Sequence, residues 1–145
     1  MFKKILIPMD GSELGQDALE PGLGLARLSG GEVTLLYAIE SPSVRELGRD
    51  SGPGRNLEQQ GAACRAEASR VLRQALAEAE SRGIRTRALL VEQHPVPAIL
   101  EVAKEHDLVV IPTHGRRGIE RVLMGGVTDK VLHNCSTAVL VVRAE

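Results

Sequence analysis

Five short aliphatic runs, at residues 4–9, 32–39, 84–91, 108–112 and 137–142, are spaced along a chain of 145 residues. KILIPM, EVTLLYAI and LVVIP are apolar at consecutive positions and not at alternate ones. A strand reads that way when both of its faces are covered. Each gap between runs holds apolar residues at helical spacing. Leu14, Ala18, Gly22 and Leu25 mark the first helix, with Ser12 as N-cap, Glu13 in the first turn and Ser29-Gly30-Gly31 as its stop. Pro21 inside it predicts a kink. Cys64, Ala68, Val71, Leu72, Ala75 and Ala79 form a narrow stripe on a second helix over 57–82, with Glu78 and Arg82 in the favourable i,i+4 order and Gly83 as the stop. His94-Pro95 opens a third, and residues 125–134 form the last.

The alternation β-α-β-α-β-α-β-α-β requires a single α/β domain over 1–145, an open five-stranded parallel sheet with right-handed crossovers and helices on both faces. A doubly wound order 3-2-1-4-5 is expected, with its switch point between the ends of the first and fourth strands, at Met9 and Pro112. Ligands of open α/β sheets bind outside the carboxyl ends of strands at such a point. Asp10 and the stretch THGRRGIERVLMGGVTDKV, from Thr113 to Val131, would meet there. That stretch leaves an apolar strand as a loop rich in glycine and arginine, and enters a helix. Glycine lets a backbone approach a ligand, a helix start offers unpaired N–H groups, and arginine adds a bidentate cation. A phosphate site and an ordinary solvated basic loop both fit these residues.

Under this order the third and fifth strands are edges. Arg85 and Arg87 blunt the third. The fifth has no charge until Arg143, so a homodimer pairing through Thr137 to Arg143 is expected. Residues 41–56 gather Ser, Pro, Gly and Arg and read as a long loop.

Composition excludes several classes. Net charge is -1 and aromatic residues are 1%, essentially Phe2 and Tyr37, which argues against nucleic acid as a partner. No apolar run is long enough to span a bilayer, and no export signal is visible, so a cytoplasmic protein without membrane contact is expected. Cys64 and Cys135 lack metal-like spacing and are expected to be reduced. A Walker loop is absent, as is a glycine-serine pyrophosphatase loop after the first strand. Val91-Glu92-Gln93-His94 lacks the aspartate a two-component receiver needs at the end of its third strand. The hydroxyl-rich loop and flanking aromatics of a flavodoxin are missing too.

Four pieces, KKILIPMDGSE, HPVPAILEVAKEHDLVVI, THGRRGIERVLMGG and TAVLVVR, stand in order over essentially the whole chain. In them the sequence resembles the single-domain universal stress proteins. The resemblance implies an adenine-nucleotide-type α/β fold, usually dimeric, in which a subset of members binds ATP or AMP. Those members carry Gly, two residues, Gly, nine residues, then Gly followed by Ser or Thr. Gly115 and Gly125 fit that spacing; Pro112 replaces the first glycine and Gly126 the hydroxyl residue. Pro112 has no N–H and cannot adopt a glycine-only geometry. Gly126 keeps its N–H but lacks the hydroxyl for a terminal phosphate, a loss of about 1.5–3 kcal/mol.

Carried over residue by residue, the nucleotide site comprises Pro8 and Asp10 after the first strand, and Ala38 and Ile39 after the second. Pro112, Thr113, His114, Gly115 and Arg116 follow the fourth strand, and Gly125, Gly126, Val127 and Thr128 lie at the last helix start. Asp10 would take a ribose hydroxyl or help hold Mg²⁺ on the phosphates; a turn carboxylate that caps the next helix reads equally from the residue. Ala38 and Ile39 would receive the adenine or serve as sheet core. Thr128, if helical, faces away from residue 126. His114 has no orienting partner nearby in sequence, so no catalytic base is assigned. His94, His106 and His133 read as surface or cap residues. Arg116, Arg117 and Arg121 either assist phosphates or form a solvated face. Two functions follow: a dimeric nucleotide-binding stress or signalling module that is not a fast catalyst, or a dimeric interaction protein whose pocket has degenerated.

Overall fold

The computed structural model describes residues 1–11, 13–40, 57–113 and 126–143, without the side chains of 13–15, 57 and 58. The described elements are β1 (Lys4–Met9), α1 (Glu13–Ser29), β2 (Glu32–Ala38), α2 (Leu57–Ser81), β3 (Thr86–Val91), α3 (Pro95–Ala103), β4 (Leu108–Pro112), α4 (Gly126–Asn134) and β5 (Ala138–Val142). All strand pairs are parallel and the order is β3-β2-β1-β4-β5, as the alternation requires.

The continuous apolar runs split by parity onto two cores. Ile5, Ile7 and Met9 of β1, with Val33, Leu35 and Tyr37 of β2, pack against Ala18, Leu19, Leu23 and Ala26 of α1 and the Ala68–Val71–Leu72–Ala75–Ala79 stripe of α2. Leu6, Leu36, Val109 and Ile111 face the other way, onto Ile99 and Ala103 of α3 and Val131 of α4. Each fully buried Leu or Ile contributes about 1.5–3 kcal/mol, so a one-residue register slip in β1 would exchange two complete core sets. Gly22 lets α1 sit low on the sheet, because a Cβ there would overlap Ile7 Cδ1. The α1 assignment runs unbroken through Pro21, held by buried side chains on both sides of it.

Helices α1 and α2 end alike. Gly30 has φ 66° and Gly83 φ 72°. Beyond them Gly31 N–H donates to the Ala26 carbonyl at 2.9 Å and Ile84 N–H to Ala79 at 3.1 Å. These are Schellman turns, which only glycine closes without strain. Helix α3 starts as expected, with Pro95 in its first turn and His94 as N-cap: His94 Nδ1 accepts from Val96 N–H at 3.2 Å.

Of the surface-or-cap reading, His106 keeps the cap, on a carbonyl at the end of α3, and not the surface. It is 8% exposed, with Nδ1 2.8 Å from the Val102 carbonyl and Nε2 2.8 Å from Thr34 Oγ1. Arg87 Nε donates to the same hydroxyl at 3.1 Å. Arg87 therefore reaches back over its neighbouring strand and is more than a blunting charge. The loop at 41–56 and the cap at Ser12 lie outside the described residues.

Candidate functional site

Strands β1 and β2 pair over six residues, from Lys4↔Glu32 to Met9↔Tyr37. Strands β1 and β4 pair only at Ile5↔Leu108 and Leu6↔Val109. The ladder at the switch point therefore stops well short of the strands' carboxyl ends. Pro8 and Pro112, with no N–H, cannot donate to extend it. The carboxyl ends of the two strands, Met9 and Pro112, thus stand beyond their last paired residues.

On the β1 side, Asp10 is half-buried, and its carbonyl accepts from Tyr37 Oη at 3.1 Å. Gly11 follows with φ 81°, and a Cβ there would stand 3.2 Å from Tyr37 Oη and 3.6 Å from Val71 Cγ2. Two constraints thus select glycine: the left-handed backbone and the closeness of Tyr37. Together they fix where the Asp10 turn lies over the sheet. Tyr37 was not among the residues the sequence singled out. The available signal was a lone tyrosine in a buried strand, whose hydroxyl must find a partner.

On the β2 side, Ala38 is half-buried and Ile39 is 5% exposed within the core. Ile39 N–H donates to the Val91 carbonyl at 2.8 Å and its carbonyl accepts from Gln93 N–H at 3.0 Å. Its N–H is therefore committed to β3, and its side chain to packing. Of its backbone groups only the carbonyl, with a second lone pair, retains capacity. Glu40 meets His94 Nε2 at 3.1 Å, which fastens the end of β2 to the start of α3.

On the β4 side, Pro112 is buried and Thr113 N–H donates to the Val142 carbonyl at 2.9 Å. Thr128, 2% exposed, donates its hydroxyl to the Pro112 carbonyl at 2.7 Å. That hydroxyl is thereby a clamp between the end of β4 and α4, not a group offered to phosphate. Gly126 is exposed at the α4 start, and a Cβ there would meet nothing within 4 Å among the described residues. Val127 beside it is half-buried against the α3–α4 core. The structure thus brings Pro8, Asp10, Pro112, Thr113 and the α4 start to one end of the sheet. His114, Gly115, Arg116, Arg117, Arg121 and Gly125 lie outside the described residues.

Such a site can do two things chemically. Helix α4 presents N–H groups and a positive dipole end to an anion. Asp10 offers a carboxylate for hydroxyl groups. Among the described residues no cluster of three or more His, Cys, Asp or Glu side chains can hold a metal ion. A divalent ion at this site would have to bring most of its ligands from phosphates, with Asp10 beside them.

Comparison with known proteins agrees with this architecture. The universal stress protein family profile matches residues 1–143. Universal stress protein MJ0531 of Methanocaldococcus jannaschii is 32% identical over 99% of this chain and 83% of its own length. The solved structure of MJ0577, the subject of a structure-based functional assignment, superposes with a TM-score of 0.83 at 28% identity, covering 100% of this chain and 98% of that one. Two further structures share the fold at lower identity. One is a universal stress protein in complex with cAMP (23% identity, TM-score 0.72, 99% and 98% covered). The other is from Archaeoglobus fulgidus in complex with dAMP (18%, 0.68, 98% and 98%). With the profile spanning nearly every residue and the sheet order in place, this chain belongs to the universal stress protein family.

Proposed function

We infer that this chain is an adenine-nucleotide-binding module, taking ATP or AMP as a conformational ligand in stress response or signalling and not as a rapidly consumed substrate. The observation that carries this reading is the end of β1–β4 pairing at Leu6↔Val109, from which we read a crevice at the strands' carboxyl ends, beside Asp10 and the α4 start. In it, α4 N–H groups hold phosphate oxygens and Asp10 takes a ribose hydroxyl or assists a phosphate-bound Mg²⁺. The cAMP and dAMP complexes of more distant members support the same ligand class.

The module acts as a cytoplasmic homodimer through β5. In support, β5 is a sheet edge, Ala138 and Leu140 are exposed, and the strand AVLVV carries no charge. No described helix is long and apolar enough to cross a membrane. Sedimentation tests the pairing, and a monomer at micromolar concentration refutes it.

A specific observation favours a second reading. Pro112 is buried where the nucleotide-binding pattern has glycine, and Gly126 lacks the hydroxyl. In that reading the function lies in the dimer surface alone. The two separate on freshly purified protein, denatured and searched for released nucleotide by ion exchange and mass. The stripped protein is then titrated calorimetrically with ATP·Mg²⁺ and AMP. Retained nucleotide or micromolar binding supports the first reading; no heat up to millimolar ATP supports the second. Gly126→Ser tests the phosphate placement directly, because among the described residues nothing stands within 4 Å of a Cβ at Gly126. It should tighten ATP about ten- to a hundred-fold, the gain of one charge-assisted hydrogen bond. Unchanged affinity would place the phosphates elsewhere.

A further inference from the structure

At the other end of the sheet, where β1, β2 and β3 begin and α1 and α2 end, lies a basin of about 470 Å³. Lys3, Lys4, Arg27, Arg82 and Arg85 line it, with Glu32 as the acid among the lining residues. The whole chain is net -1, so this positive charge is a local concentration.

Helix carboxyl ends are partly negative and attract cations, which is the ordinary explanation of such a cluster. It accounts for Lys3 and for Arg27, which stands in the last turn of α1, while carboxylates hold Arg82. Lys3 Nζ donates to the Ser29 carbonyl at 2.5 Å, and Arg82 bonds both Glu20 (2.7 Å) and Glu78 (2.9 Å). Lys4 and Arg85 belong to neither helix. Lys4 and Arg27 side chains make no hydrogen bond or ion pair among the described residues. Arg85 is 86% exposed and makes only a long ion pair with Glu32, at 3.7 Å. The space beside Gly30 and Gly83 is open among the described residues: a Cβ at Gly83 would meet none of them within 4 Å, and one at Gly30 only Lys3 Nζ at 3.9 Å.

We propose that this basin binds a compact, multiply charged phosphate anion, held by Lys4, Arg27 and Arg85 between the fixed positive walls of Lys3 and Arg82. Guanidinium groups match phosphate oxygens in pairs. The volume is within the range of small-ligand sites, and the charged rim suits no apolar ligand. The basin is at the opposite end of the strands from the crevice, so this inference stands apart from the nucleotide reading.

The probe is tripolyphosphate, titrated into the full chain at about 0.15 M salt, where charges beyond about 8 Å are screened. Amide ¹H–¹⁵N spectra locate it, since glycine amides resolve well. The expected result is saturable micromolar binding with shifts at Gly30, Gly31 and Gly83. Arg27→Ala/Arg85→Ala should weaken it about tenfold or more, the loss of at least one charge-assisted hydrogen bond, at an unchanged melting temperature. Lys4→Gln should weaken it in the same direction and serves if the double variant is unstable. No saturation below millimolar, shifts confined to glycines elsewhere, or undiminished binding by these variants would each overturn the proposal. Tighter binding of a short oligonucleotide than of tripolyphosphate at equal salt would also overturn it, in favour of an extended polyanion.

Discussion

Replacing Thr34 with valine removes one buried hydroxyl and changes almost nothing in volume. Thr34 is 3% exposed and stands between His106 and Arg87. With a neutral imidazole, the protons in this chain of bonds have one consistent order. The Val102 carbonyl can only accept, so His106 Nδ1 carries the hydrogen. Arg87 Nε–H donates to Thr34 Oγ1, which leaves the Thr34 hydrogen for His106 Nε2. In Thr34→Val, Arg87 is exposed and turns to water, while His106 Nε2 is left buried without a donor. An unsatisfied buried polar group costs about 1–3 kcal/mol. For a domain near 150 residues that lowers the melting temperature by about 2–10 °C. His106→Leu alone leaves the Thr34 hydroxyl hydrogen without an acceptor, while the Val102 carbonyl keeps the Glu105 N–H, and should cost about 1 kcal/mol or more. The double variant replaces both partners by apolar groups, so its loss should fall short of the sum by about 1 kcal/mol or more. Urea midpoints at constant slope measure all three. A Thr34→Val midpoint equal to wild type, or strict additivity in the double variant, would show that this bond does not contribute in solution.

Three further outcomes are expected. Thr128→Val should lose about 1–3 kcal/mol of stability by leaving the Pro112 carbonyl unpaired, read as a lower urea midpoint, and Thr128→Ser should restore most of it. Gly11→Ala combines a φ of 81° with a close approach to Tyr37 Oη, so it should destabilise by more than about 1 kcal/mol, in contrast to a neutral Gly126→Ala control. Glu20 is held below its ordinary value of 4.5, first by its hydrogen bond to Arg82. A depressed carboxyl pKa stabilises above the unfolded value and loses that contribution as pH falls through the folded one. The difference between wild type and Glu20→Gln should therefore shrink as pH drops from about 5 toward about 3 and, for so exposed a pair, should be small and reduced by salt.

What the sequence made legible follows from what periodicity encodes. A strand covered on both faces has nowhere to place polar groups, so β1, β2 and β4 stand out as unbroken runs. Helix ends were equally plain: a left-handed turn needs glycine at residues 30 and 83, and Pro95 fits only a first turn. Side-chain bonds across long separations were not legible. His106 looks like a helix-end histidine until β2, 72 residues away, presents Thr34 to it. Thr128 differs from a phosphate-binding threonine only in being aimed at Pro112. Ile39 carries a backbone already used by β3, which composition cannot register. The candidate site was thus readable as a location, from topology, and much less as a set of available groups.

The position of Tyr37 has an optical consequence. It is the chain's one tyrosine, there is no tryptophan, and its hydroxyl rests on the carbonyl of the Asp10 turn. All of the chain's phenolic emission therefore originates at the Asp10 turn, from a ring whose hydroxyl is bonded to it. Any occupant that displaces the turn would change the emission of the unlabelled protein. The near absence of aromatic absorbance also means that an adenine base carried through purification would dominate the ultraviolet spectrum, visible before any separation is run.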